Sequence, residues 1–210
     1  MTSWNRIGVW VLAVLASSSA LAQVGSAPSV TERRTQIVAA AQKGSPFLTD
    51  TRQSYQVVVG LRATVRGDAT AEARMAALGL PATDLVEEKG PYLVFRRMAS
   101  GATASSRLAE ASAVAAVDGT PAYPVVLNTR TGELAILPGI VIAKLRNTAD
   151  ATALAEANGL SVKWVGQMTR YGYFRVPQGG DVVSAAAALA QDPRVEIAYP
   201  EVSEKFMHAN

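Results

Sequence analysis

One run of strands and helices occupies residues 54–128, and a second begins at residue 140; this repetition constrains the fold more than any other feature. Residues 55–65 (YQVVVGLRATV) are rich in β-branched side chains and read as a strand. Asp68 is placed to cap a helix over 69–78 that Gly79 stops. Strands are expected over 84–88 and 92–97, joined by the turn sequence Lys89-Gly90-Pro91. A second helix opens at Ser105 or Ser106, runs through RLAEASAVAAV and closes at Asp118-Gly119, before a strand over 122–128. The order is βαββαβ. The hairpin turn Asn128-Thr129-Arg130-Thr131-Gly132 and a returning strand over 133–137 then lead into the same order again. Its parts are a strand over 140–146, a helix over 149–157 stopped by Asn158-Gly159, and strands over 162–168 and 171–176. A helix over 181–191, capped by Asp181 and stopped at Pro193, and a strand over 195–199 complete it.

Residue matches accompany the pattern. Leu61-Arg62 answers to Leu145-Arg146, Gly79-Leu80 to Gly159-Leu160, Tyr92 to Tyr173, and Ala122-Tyr123-Pro124 to Ala198-Tyr199-Pro200, at offsets of 84, 80, 81 and 76 residues. Four matches in one order mark a repeated module. The βαββαβ order is that of the split βαβ, or ferredoxin-like, arrangement. The expected fold class is therefore α+β: two tandem ferredoxin-like modules with antiparallel sheets, joined by a β-hairpin. The expected partition is a signal peptide over 1–22, a lead-in with a short helix over 23–53, module 1 over 54–128, a hairpin linker over 129–139, module 2 over 140–202 and a C-terminal tail over 203–210. In the lead-in, Ser29-Val30-Thr31-Glu32 reads as a capping box opening a helix to about Gln42, with Gly44 as its stop.

The leader has its own logic. Arg6 supplies a positive n-region, residues 7–16 (IGVWVLAVLA) an apolar stretch too short to span a bilayer, and Ala20-Leu21-Ala22 a small-x-small cleavage site. Export to a bacterial periplasm or beyond, with no stable membrane anchor, is the expectation. The 210 residues contain no cysteine, so the exported chain relies on its core alone. The 49% apolar content is ample for one. Twenty basic residues face seventeen acidic ones without forming a stripe or patch, which argues against nucleic-acid binding.

Most catalytic readings fail by inventory. The one histidine, His208, stands three residues from the end, where no third group would orient it toward a nucleophile. Thiol chemistry is excluded, and a zinc site built on Cys and His cannot be assembled. No phosphate-cradling glycine motif follows a strand. Glu87-Glu88 and Glu110 read better as solvated strand and helix positions than as an acid–base pair. The expectation is a protein that is not an enzyme and carries no cofactor or metal.

The second module carries a resemblance. The segments ILPGIVIAKLRNTADATALAEANGLSVKWV and YGYFRVPQGGDVVSAAAALAQDPRVEIAYPE combine a strand of type IVIAKL, an alanine-rich helix ending in Asn-Gly-Leu, and a helix leading into D-P-x-V-E-x-A-x-P. Within that last element stand Val195, Glu196, Ala198, Tyr199 and Pro200. This pattern resembles the propeptide domain of subtilisin-type serine proteases, which serve as intramolecular chaperones and inhibitors. The region from Ala122 through the TRTGE hairpin is similar to what precedes such domains in larger bacterial subtilases.

The resemblance implies that the open face of an antiparallel sheet packs on a subtilisin-type protease, with the C-terminal tail lying in the substrate cleft as an added strand. Asn210 would then occupy the primary specificity pocket, with Ala209, His208 and Met207 in successive subsites after Phe206. Glu201 or Glu204 would cap helix N-termini of the protease. Tyr171, Tyr173 and Phe174 divide between sheet-face contacts and core. Because the chain stops at Asn210 where the family continues into a protease, the expected action is in trans. The alternatives are a duplicated ferredoxin-like module that binds a small ligand or associates with itself, and a non-catalytic N-terminal remnant of a subtilase.

Overall fold

A computed structural model describes residues 29–40, 43–97 and 103–204. The expected leader and the tail residues Phe206, Met207, His208, Ala209 and Asn210 lie outside the described residues. The first half contains α1 (Val30–Ala40), β1 (Lys43–Leu48), β2 (Ser54–Val65), α2 (Ala71–Ala77), β3 (Leu85–Lys89), β4 (Tyr92–Arg96), α3 (Ala104–Ser112), β5 (Ala115–Val117), β6 (Thr120–Asn128) and β7 (Leu134–Ile136). The second contains β8 (Ile140–Leu145), α4 (Ala151–Ala157), β9 (Ser161–Val165), β10 (Tyr171–Arg175), α5 (Val182–Gln191) and β11 (Val195–Pro200). The chain is mixed α+β with antiparallel sheets.

Local chemistry explains the boundaries, including those that differ from expectation. Ser29 and Glu32 form the expected reciprocal cap of α1, at 2.8 and 3.2 Å. Thr70, not Asp68, caps α2 by accepting from the Ala73 N–H at 3.2 Å. The second helix begins slightly earlier than expected and ends well before Asp118-Gly119, spanning Ala104–Ser112. Thr103 and Ser106 make its capping box, and Asp118-Gly119, at φ 48° and 76°, forms a tight two-residue turn. That turn folds 115–117 back on β6 as a strand, overriding the helix preference of its alanines. Strand β1, read as part of the lead-in, pairs with β2; its Pro46 suits an edge position. Strand β9 ends at Val165 because 166–170 turns, with Arg170 at φ 61°.

The first sheet runs β3-β4-β2-β6-β5, with β1 on β2 and β7 on β6; the second runs β11-β8-β10-β9. Each half places its first main strand between its third and fourth, with the second outside the third. Equivalent residues can be read from the pairing. Ala63 lies between Val94 and Tyr123 as Ile142 lies between Tyr173 and Tyr199. Gly79 and Gly159 share φ 64°, and each lets the following leucine N–H reach back to close the helix, Leu80 to Met75 at 3.0 Å and Leu160 to Ala155 at 2.9 Å. Two sequence matches are out of register: Arg62 corresponds to Val141, each opposite a proline, and Tyr92 corresponds to Tyr171.

The halves differ in what covers their sheets. Arg34 on α1 pairs with Glu87 on β3 and with Glu133 just before β7, each at 3.1 Å. The two sides of the first sheet are thereby drawn together around Val58, Leu61, Val86, Val94, Leu134 and Ile136. In the second half α4 and α5 cover one face, while among the described residues no helix packs on the face bearing Tyr171 and Tyr173.

One core joins the halves. Tyr55, Val57, Val126 and Leu137 pack in the same cluster as Val141, Leu145, Leu154, Phe174 and Leu189. The stretch expected as a linker is among the most deeply placed: Leu134, Ala135, Ile136 and Leu137 are each 0% exposed. Asp181 caps α5 through the Val183 and Ser184 N–H groups and also accepts from the Ser112 hydroxyl at the end of α3, 2.6 Å away. Buried Arg62 donates to the carbonyls of Glu110, Ala111 and Ala113, closing the other side of that helix end.

A shared core predicts a single cooperative unfolding transition. Leu137→Ala is expected to cost about 2–5 kcal/mol and to shift far-UV dichroism and Trp164 fluorescence together in a denaturant titration. Separate transitions for the two probes would contradict a common core.

Candidate functional site

Alternation along β10 divides its side chains between two faces. Phe174 is fully buried under the helices, whereas Tyr171 and Tyr173 stand half-buried on the opposite face. Tyr173 lies opposite Trp164 on β9, and their rings meet at 5.3 Å. Ile197 on β11 sits opposite Lys144 on the same face, next to the pair formed by Tyr199 and Ile142. Trp164 is 54% exposed, Ile197 40%, and Met168 in the β9–β10 turn 99%. Trp164, Tyr173 and Ile197 gathered on one sheet face make it the candidate interaction surface. The sequence reading reached Tyr171 and Tyr173 but missed Trp164, Met168 and Ile197. The two-residue period of YGYFR was visible, but the register that aligns Trp164 with Tyr173 was not.

The motif strand is accounted for by packing. Val195, Tyr199 and Pro200 are buried, and Ala198 is half-buried opposite Ala143. Burial, then the Asp50 carboxylate beside its hydroxyl, raises the Tyr199 pKa. Glu196 stands at a bulge and reaches Lys144 Nζ at 3.0 Å and Arg170 Nη1 at 2.8 Å, bracing the β9–β10 turn. The Lys144 hydrogen bond is the first cause holding the Glu196 carboxyl below its usual range.

The chain does not come free after β11. The Glu201 N–H donates to Ile140 at 2.9 Å, and Ser203 makes a reciprocal antiparallel bridge with Ile136 at 2.9 and 3.1 Å. Glu204 accepts from Asn128 Nδ2 at 2.6 Å, and its carboxylate lies against the Tyr55 hydroxyl. Asn128 is itself held by accepting from the N–H groups of Arg130 and Thr131. The start of the stretch expected as a C-terminal tail is therefore docked on the molecule at Ser203 and Glu204. The reason is that β7 offers a strand edge that the expected linker would have left in solvent. Of the two carboxylates assigned to a partner, Glu204 is engaged within the molecule; Glu201 is half-buried, and its charge is felt at Tyr92.

Before β11, Asp192 accepts from its own turn: Arg194 donates through the backbone N–H at 2.9 Å and through Nε and Nη2 at 2.9 and 2.7 Å. These bonds push the Asp192 carboxyl down to about 2. Among the described residues no three His, Asp or Glu side chains gather closely enough to hold a metal ion.

Comparison with known proteins places this site within a matched region. The model of the Open reading frame 2 N-terminal domain matches residues 94–209, a span that takes in both the open face and the docked tail. No curated protein matches. A chain in the crystal structure of the Aeromonas sobria serine protease (ASP) and chaperone (ORF2) complex is similar at 19% sequence identity and a TM-score of 0.35, covering 46% of this chain and 99% of that one.

Glu204→Ala strips an acceptor from Asn128 and a neighbour from Tyr55, at an expected cost of about 1–3 kcal/mol. Hydrogen exchange at the Ser203 and Ile136 amides is expected to accelerate more than exchange at Phe174; uniform acceleration would argue against a tail anchor. The depressed Asp192 pKa stabilises the fold above the ordinary carboxylate value, and the contribution is lost as pH falls from near 4 toward 2. Carboxyl NMR titration is expected to show Asp192 protonating well below the ordinary carboxylate range, and Arg194→Ala to return it toward that range.

Proposed function

The chain belongs to the Open reading frame 2 N-terminal domain family, and from that premise we propose that it is a non-catalytic binder of a serine protease, acting in trans as a folding chaperone, an inhibitor or both. The observation that carries this reading is the open aromatic face of the second sheet, which continues into a strand whose outgoing chain is held in a defined path. The family bears the label of open reading frame 2, and in the Aeromonas sobria complex ORF2 is the chaperone and its companion a serine protease.

The finer reading is that the partner is subtilisin-type, as the D-P-x-V-E-x-A-x-P element suggests, and that Phe206 to Asn210 occupy its cleft. Glu201 is the better candidate for a helix cap on the partner, since Glu204 has partners inside the molecule. The halves are read as tandem ferredoxin-like modules with the boundaries expected above, supported by the shared strand order and the matching Gly-Leu helix ends. The leader directs the chain out of the cytoplasm.

The test is to add the purified chain to subtilisin-type and chymotrypsin-type proteases, following peptide hydrolysis and recovery of activity from denatured enzyme. Inhibition or assisted refolding of the first class is expected. Removing residues 205–210 should weaken inhibition roughly tenfold or more with unchanged thermal unfolding. Trp164→Ala should weaken refolding assistance and inhibition alike. No effect on any protease would refute the proposal, and inhibition untouched by the truncation would refute the tail's place in the cleft.

A further inference from the structure

A cavity of about 370 Å³ lies where the halves meet, walled by Tyr92, Pro121 and Tyr123 from the first and by Lys163, Arg175 and Pro177 from the second. Its volume falls within the range of binding sites for small ligands and short chain segments. The two tyrosine rings meet edge to face at 5.9 Å, giving the wall a fixed aromatic surface. Lys163 and Arg175 enter from β9 and β10. Among the described residues neither has a carboxylate at ion-pairing distance, although their neighbours Lys144 and Arg170 are both paired with Glu196. Among the described residues no acidic side chain lines the cavity; Glu201 acts on Tyr92 without forming part of the wall.

We propose that this cavity binds an acidic peptide segment, with Lys163 and Arg175 taking its carboxylates and the proline–tyrosine wall taking the flanking side chains. Exposed ion pairs are individually weak, so a bare anion gains little here. A ligand that combines charge with apolar contact uses both walls at once. Two cations without a stripe do not follow a nucleic-acid backbone. The proposal does not depend on the partner being a protease.

The probe is a fluorescein-labelled octapeptide of alternating glutamate and valine, followed by anisotropy against the full chain. Saturable binding is expected. It should weaken roughly tenfold when glutamine replaces glutamate, and again in a Lys163→Glu, Arg175→Glu double variant. Arg130→Glu, on an exposed turn away from the cavity, should bind as the parent does, and circular dichroism should show both variants folded. Equal binding of the glutamine peptide, unchanged affinity in the double variant, displacement by equimolar inorganic phosphate, or absence of saturation would each overturn the proposal.

Discussion

The structure depends on the need of buried backbone to find hydrogen-bond partners. Residues 134–137 carry the chain from one half to the other through the interior, where water cannot satisfy their amides and carbonyls. They are satisfied instead by β6 on one side and, at Ile136, by Ser203 beyond the last strand. This arrangement turns a connection into a central element. It also decides where the chain travels after β11, because Ser203 completes a ladder that would otherwise have an unfilled edge.

The two halves use one strand order to different ends. In the first, charges on α1 draw opposite sides of the sheet together, and its apolar face is consumed internally. In the second, the equivalent face keeps Trp164, Tyr173 and Ile197 in reach of solvent. One strand order thus yields a closed face in the first half and a face within reach of solvent in the second, beside the path of the outgoing chain. Fold alone does not select a function. The chemistry of the exposed face, together with the family, supports the chaperone reading.

Several local expectations failed for one physical reason. The alanines of AVAAV favour helix, yet the Asp118-Gly119 turn pairs them with β6. The segment at Lys43–Leu48 carries a proline and a glycine and lacks alternation, but the open side of β2 recruits it as a strand. Of the residue matches between halves, Gly-Leu and Ala-Tyr-Pro occupy equivalent places because each meets a steric demand, a left-handed helix stop or a position on the fourth strand. Leu-Arg and the tyrosine pair of the third strands do not, since no such demand holds them in register.

What the sequence determined by itself is what depends on near neighbours and periodicity: the helix caps at Ser29 and Asp181, the helix stops at Gly79 and Gly159, and most strands, whereas the stop expected at Gly44 falls inside β1. Only the tertiary structure decided which sheet face stays open, that Arg62 closes α3, that Glu204 is held by Asn128, and that Lys163 and Arg175 share a cavity. Each of these joins residues dozens of positions apart, or depends on strand register, and neither is encoded in local pattern.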